Sequence, residues 1–361
     1  MSAVAHDDIV ADHAQAAANE REPLLVLEPL RAFLDERGLG AGELDVQPLG
    51  EGHSNVTYLV RRGEDELVLR RPPRGPLPPS AHDVLREARL LRALAPTAAR
   101  VPRVLAVGDD ETIIGAPFYV TARVPGDVIT SAVPEPLDTP AQRRRIGEEL
   151  VDALVEVHGI DWAACGLASF SRDPTRYLER QLRRFGGLWE AARTREIAAV
   201  EEVGRWLGEH LPASGPPAIV HGDYRLGNVI VAPGAPARLT AILDWEMAAI
   251  GDPLADLGYL CAMWVDRDDG NLPGLFALWD VTRRDGFLRR DELVARYEER
   301  SGRAMTDIRW YRVLALWKAT VFMEGNYRRA LAGTTDDPYL KGFADGVAEL
   351  AERARELSRT G

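Results

Sequence analysis

The spacing of apolar residues changes character several times along the chain, and each change predicts a different element. Over 24–37 the apolar residues include Leu27, Leu30 and Leu34, a helical spacing that stops near Gly38. The stretch Leu49-Gly50-Glu51-Gly52-His53-Ser54-Asn55 then reads as a loop, and Val56-Thr57-Tyr58-Leu59-Val60 is β-branched and aromatic, as strands are. A polar turn at 61–65 returns the chain through Leu67-Val68-Leu69-Arg70-Arg71. Residues 72–79 are too rich in proline to be helical. Ser80 is the expected N-cap of the next helix, with Asp83 at its third position and Val84, Ala88, Leu91 and Leu94 on one side. Strands are predicted over 101–107 and 118–121, and Val124-Pro125-Gly126 closes this β-rich part.

Beyond it the period is mostly helical. Thr139-Pro140-Ala141-Gln142 has the form of a capping box with proline at the first helical position, followed by Ile146, Leu150, Leu154 and Val157. Further helices are predicted over 179–188, 197–211, 293–300, 308–331 and 340–357. Three short apolar runs interrupt them, at 218–220, 229–231 and 239–243, the last two joined by the hairpin-like Ala232-Pro233-Gly234-Ala235-Pro236. No repeat of fixed period is present. The expectation is an α+β fold: a tail over 1–27, a small β-rich lobe over 28–124 and a larger helical lobe over 125–361.

Composition narrows the class. With 361 residues, 46% hydrophobic and 28% charged, the chain can bury a core in each lobe. A net charge of -12 argues against a nucleic-acid partner and weakly favours a cationic substrate. Cys165 and Cys261 lie far apart without a metal-ligand spacing, which predicts two buried free thiols in a reducing cytoplasm. Residues 1–22 read as a frayed tail or short polar helix, and no apolar run approaches the ~18 residues that span a bilayer, so no membrane partner is expected. Oligomeric state is not written in the sequence.

The chemistry concentrates in His221-Gly222-Asp223-Tyr224-Arg225-Leu226-Gly227-Asn228, followed sixteen residues later by Asp244-Trp245-Glu246. Loops at the ends of short buried strands would carry two carboxylates and a carboxamide. Asp223 suits a base that orients a hydroxyl and takes its proton late, while Asn228 and Asp244 offer the hard oxygens that magnesium prefers. His221 reads as structural, a ring bonded to its own loop. Gly222 and Gly227 permit turn geometry. In Gly251-Asp252-Pro253-Leu254-Ala255-Asp256, Asp256 reads as a buried carboxylate accepting backbone N–H bonds from the catalytic loop, and Asp252-Pro253 as a turn.

These motifs resemble the aminoglycoside phosphotransferase family, whose fold is protein-kinase-like with two lobes, over roughly residue 28 to the end. The resemblance implies that Asp223 is the catalytic base and that Asn228 and Asp244 bind Mg2+; Glu246 is either a ligand of a second ion or a solvated acid. It makes 50–55 the nucleotide loop, with Ser54 and Asn55 toward phosphates. Related kinases carry a Lys on the returning strand; here Arg70 and Arg71 stand there, one expected to face solvent, and Glu87 is the expected helix partner. Thr121-Ala122-Arg123-Val124 would be the hinge to the purine of ATP, the commoner nucleotide, with GTP left open. Arg70-Arg71-Pro72-Pro73, Leu243-Asp244-Trp245-Glu246 and Glu324-Gly325-Asn326-Tyr327-Arg328-Arg329-Ala330 are similar to the kinase-like domain fused to some acyl-CoA dehydrogenases. That implies phosphoryl transfer to a hydroxyl of a small molecule, of hydroxyacyl-CoA type. The alternatives are an antibiotic kinase and, given the missing Lys, a non-catalytic nucleotide-binding module. In the C-terminal half, Asp266, Asp268, Asp269, Asp336 and Asp337 read as loop acids. Trp264, Trp279, Trp310, Trp317 and Tyr327 read as core, and Lys318 as a side chain that carries its charge out to the surface.

Overall fold

Alternating apolar residues build a five-stranded antiparallel sheet in the first of two compact units, residues 1–97 with 101–124. The computed structural model of the protein describes residues 8–50, 55–75, 82–171, 173–270, 274–333 and 343–360. In chain order the first unit contains β1 (Ile9–Val10), α1 (His13–Ala18), β2 (Leu25–Val26), α2 (Leu27–Asp35), β3 (Asp45–Pro48), β4 (Val56–Arg62), β5 (Asp65–Arg71), α3 (Val84–Leu94), β6 (Val104–Gly108) and β7 (Phe118–Ala122). The sheet order is β3-β4-β5-β7-β6. Its core joins Leu30, Phe33 and Leu34 of α2 to Tyr58, Leu69, Phe118 and Val120 of the sheet. A Cβ on Gly108 would lie 2.4 Å from the Phe118 ring, so the sheet closes over the aromatic only with glycine there.

Two expectations need correction here. Residues 8–27 are not a separate tail, because β1 pairs in parallel with β2 and Leu24 and Leu25 are buried in this core. The predicted helix from 24 accordingly starts at Leu27. Helix α3 is capped not from Ser80, which lies outside the described residues, but by Asp83, whose carboxylate accepts the Arg86 N–H at 2.9 Å.

The second unit comprises 98–100 and 125–361. Its elements are α4 (Pro140–His158), α5 (Tyr177–Ala192), α6 (Ala198–Glu209), β8 (Ala218–Val220), β9 (Val229–Val231), β10 (Leu239–Ile242), β11 (Ala249–Gly251), α7 (Leu254–Ala262), α8 (Arg290–Ser301), α9 (Ile308–Leu331) and α10 (Phe343–Arg359). The capping box of α4 is half formed. Thr139 Oγ1 accepts the Gln142 N–H at 3.3 Å, but Gln142 Oε1 accepts from Ala237 N at 2.7 Å and so pins the β9–β10 connection instead. Arg100 belongs to this unit through Glu156, Glu149 and the Leu239 carbonyl, the first two at 2.7 Å and the last at 2.9 Å. Helix α9 packs against α5, α6, α7 and α10, so it is buried around much of its circumference. Trp264, Trp310 and Trp317 are core residues, while Trp279 and Tyr327 are half-buried. Of the two free cysteines, Cys261 is fully buried, with its thiol pushed up to about 11 by burial; Cys165 is only half-buried, contrary to expectation. Among the described residues no helix is long and apolar enough to cross a membrane.

Candidate active site

Two short antiparallel ladders hold the motif residues in place. Strand β8 pairs with β11, and β9 pairs with β10. The His221–Asn228 loop leaves β8 and returns as β9, while β10 delivers Asp244 beside it. The Leu243 N–H donates to the Asn228 carbonyl at 2.8 Å, which extends the second ladder to the loop itself. His221 Nε2 donates to the Leu243 carbonyl at 2.8 Å, and its Nδ1 accepts the Asp223 N–H at 3.2 Å. The ring therefore carries its proton on Nε2 and ties Asp223 to the strand that ends in Asp244.

Asp223 and Asn228 form the centre of this arrangement. Asn228 Nδ2 donates to the Asp223 carbonyl at 2.8 Å and to Asp223 Oδ2 at 2.7 Å. The second carboxylate oxygen, Oδ1, is buried and, among the described residues, has the Arg225 Nε at 3.6 Å but no donor at full hydrogen-bond geometry. A buried acceptor without a donor is costly, and such atoms point to a ligand or a chemical role. The Tyr259 hydroxyl faces the same carboxylate: burial, then the charge of Asp223, push it well above its ordinary value, so it remains protonated. Asp244 adopts the left-handed conformation, φ 64°, which is strained for a residue with a side chain. Trp245, buried behind it, donates Nε1 to the Ile242 carbonyl at 2.9 Å and lies 4.7 Å from the His221 ring. Gly222 has φ 90°, and a Cβ there would meet the Met247 carbonyl oxygen at 2.8 Å, so the loop cannot carry a side chain at that point.

Beneath the loop sits Asp256, fully buried at the first turn of α7. Its Oδ2 accepts the His221 N–H at 2.6 Å and its Oδ1 the Gly222 N–H at 2.8 Å. His158, at the end of α4, lies 3.2 Å from Oδ2 and takes a 2.6 Å hydrogen bond with Tyr297 on its other nitrogen. Burial disfavours the Asp256 charge, but the His158 hydrogen bond and the Gly222 N–H outweigh it and hold the carboxyl below its usual range. Burial in turn holds His158 low, so a neutral imidazole donates to a carboxylate. Asp252 does more than turn the chain: Oδ1 accepts from Leu254 N at 3.0 Å and Oδ2 from the Tyr311 hydroxyl at 2.8 Å, fastening α7 to α9. His158, Tyr259 and Tyr311 were not singled out in the sequence, where nothing local connects them to the motif.

In the first unit Arg70 Nε meets Glu87 Oε2 at 3.1 Å, and Glu87 is only 2% exposed. Arg71 does not face solvent, as one of the two arginines was expected to. It is 3% exposed, with its guanidinium engaged by the carbonyls of Leu24, Ile114 and Pro72. Strand phase explains this: Leu67, Leu69 and Arg71 share the core face of β5 and Val68 shares the other with Arg70. Asn55 is buried and its Oδ1 lies 3.2 Å from His82 Nδ1, while Ser54 lies outside the described residues. Thr121 is buried in β7, and the exposed Arg123 side chain pairs with Glu66. Of the loop acids, Asp266 and Asp269 pair with Arg290 and Asp268 with Arg289, so they are neutralised; Asp336 and Asp337 lie outside the described residues.

Residues 45–313 match the phosphotransferase enzyme family. Acyl-CoA dehydrogenase family member 10 of Mus musculus is 34% identical over 319 residues, which cover 88% of this chain and 29% of that protein. The chain spans 29% to 43% of the length of such acyl-CoA dehydrogenase family members. Among solved structures, a candidate aminoglycoside phosphotransferase of Ralstonia eutropha is 29% identical, with a TM-score of 0.75 over 92% of this chain and 98% of that one. An aminoglycoside phosphotransferase solved with AMP-PNP and hygromycin B shares the fold, with a TM-score of 0.59 at 18% identity over 92% of this chain and 99% of its own. On the family match and these relatives, the chain belongs to the phosphotransferase enzyme family and has its kinase-like fold.

Proposed function

We propose that the protein transfers the γ-phosphoryl group of ATP to a hydroxyl of a small-molecule acceptor, with Asp223 as the base. The observation that carries this is the orphaned Asp223 Oδ1. It is a buried carboxylate oxygen with no donor at full hydrogen-bond geometry among the described residues, on a loop whose backbone is clamped by Asp256, while its twin Oδ2 is fixed by Asn228. That oxygen suits a substrate hydroxyl. As the acceptor oxygen bonds to the γ-phosphorus, its proton passes to Asp223, the bond from the γ-phosphorus to the β–γ bridging oxygen breaks, and ADP leaves with that oxygen. Arg225, 3.6 Å from the carboxylate, adds positive charge near the transferred group.

Asn228 and Asp244 fit magnesium. The bond from Asn228 Nδ2 to Asp223 fixes the amide orientation and leaves the amide oxygen on its other side, and Asp244 stands one residue beyond the Leu243 that is bonded to Asn228. Among the described residues no group of three or more His, Cys, Asp or Glu could hold a metal alone. A magnesium ion there would use one or two carboxylates and complete its shell with water and phosphate oxygens. The ion supplies positive charge against the nucleotide phosphates. In the first unit, Arg70, oriented by Glu87, is the phosphate ligand that replaces lysine, with Ser54 and Asn55 at the nucleotide loop and the 121–124 backbone at the purine.

The acceptor class rests on relatives named as acyl-CoA dehydrogenase family members, which favour a hydroxylated acyl compound. The test is a screen of hydroxyacyl compounds, simple alcohols and aminoglycosides with ATP and magnesium, following ADP and a new phosphomonoester by 31P NMR. A phosphomonoester of a hydroxyacyl compound is expected. Turnover confined to aminoglycosides would replace this acceptor by an antibiotic, and nucleotide binding without any turnover would favour a non-catalytic module.

A further inference from the structure

Lys318 breaks the pattern of the second unit. It was expected to reach the surface, yet it is only 6% exposed, among the buried positions of α9. A buried ammonium normally has a carboxylate or several carbonyls around it. Here Lys318 forms no hydrogen bond or ion pair among the described residues; its Nζ stands 4.8 Å over the ring of Phe185 on α5. A second cation, the exposed Arg184, stands 5.9 Å from the same ring and pairs with no carboxylate among the described residues. Burial depresses the Lys318 ammonium to about 8; the carboxylates of Asp256 and Asp223 oppose that fall, and Arg184 adds to it.

The position is as telling as the burial. Tyr311, Lys318 and Phe322 are spaced by seven and four residues and so share one stripe of α9. Tyr311 is bonded to Asp252 just before α7, and Lys318 follows about 10 Å further along. Phe322 is 44% exposed and packs edge-on against Phe185 at 5.5 Å. One stripe therefore offers a desolvated cation within electrostatic reach of Asp223, followed by an open aromatic surface.

We propose that Lys318, assisted by Arg184, binds a negatively charged oxygen of the acceptor, whose apolar chain lies over Phe322. This rests on the phosphotransfer reading and deepens it. The acceptor is an acidic, partly apolar hydroxyl compound, and a polycationic aminoglycoside is disfavoured because it would meet the positive charge of Lys318 and Arg184. The charged oxygen has two sources of the same chemistry, the carboxylate of a free hydroxy acid or the phosphate of a carrier attached to it.

The experiment compares wild type, Lys318→Met and Lys318→Arg on four forms of one medium-chain hydroxy acid: the free acid, its methyl ester, its pantetheine thioester and its CoA thioester. Wild type should favour a charged form over its neutral counterpart by about tenfold or more in KM, as a charge-assisted bond implies. Preference for the acid over the ester assigns a carboxylate; preference for the CoA over the pantetheine thioester assigns a phosphate. Lys318→Met should remove that preference through KM, with kcat within about threefold, and Lys318→Arg should restore part of it. Equal KM for charged and neutral forms in wild type, or an equal rise for both in Lys318→Met, would overturn the proposal while leaving a working kinase. Should no form be phosphorylated, calorimetric binding of the free acid and CoA thioester to wild type and Lys318→Met decides the matter independently of turnover: binding lost with Lys318 supports the anion site, and binding that is absent or unchanged refutes it.

Discussion

Asp256 under the His221–Asn228 loop accepts two backbone N–H bonds and one from His158, whereas Lys318 on the neighbouring helix α9 has, among the described residues, the face of an aromatic ring and no hydrogen bond. Both are buried ionisable groups of one unit. The contrast separates two uses of buried charge. A fully bonded ion is part of the scaffold, and its removal leaves its donors stranded. An ion without a partner is a standing cost to stability, and it persists where a ligand supplies the missing charge. Arg70, paired with Glu87 and 16% exposed in its side chain, lies between these cases.

Altering either extreme should therefore move stability in opposite directions. Asp256→Ala should have the largest effect, about 3–5 kcal/mol of destabilisation in a urea titration, because His158 and the backbone N–H groups of His221 and Gly222 lose their acceptor. Lys318→Met should instead stabilise. The folded state holds this lysine near 8 against an ordinary value near 10.5, so below pH 8 both states are protonated and the native state bears the full cost. That cost, roughly 3 kcal/mol, fades as pH rises from 8 toward 10.5, and so should the advantage of the methionine variant in melting curves recorded across that range. A gain in stability independent of pH would mean that packing, not charge, is at issue.

The intermediate case predicts a smaller and mainly functional effect. Arg70→Ala should weaken nucleotide binding about tenfold, read by a smaller rise in melting temperature with Mg-ATP, while Arg70→Lys keeps a partner for Glu87 and loses less. Smallest of all, Thr139→Ala removes the N-cap of α4 and should cost about 1 kcal/mol with turnover unchanged.

What could be read from the sequence follows the same division. The spacing of Asp223, Asn228 and Asp244 is visible because a single strand–loop–strand excursion and its hairpin partner carry all three. The α+β order and most helices follow from local periodicity. Partnerships across long separations left no such trace: His158 and Asp256 are 98 residues apart, and Arg71 meets the carbonyl of Leu24, 47 residues away. The phase of Arg70 and Arg71 was half-written in the alternation of Leu67 and Leu69, but Val68 is apolar too and masked it. The burial of Lys318 has no local signature because α9 is packed against four helices, so its pattern shows no polar face to which a lysine belongs.

The role proposed for Asp223 Oδ1, taking the acceptor proton, is tested most directly by steady-state phosphoryl transfer by wild type and Asp223→Asn on one acceptor. The asparagine keeps the side-chain shape and an oxygen for Asn228 but cannot act as the base. Asp223→Asn should lose about a thousandfold or more in kcat, with nucleotide binding and melting temperature close to wild type. Transfer within tenfold of wild type, in a folded variant, would contradict it.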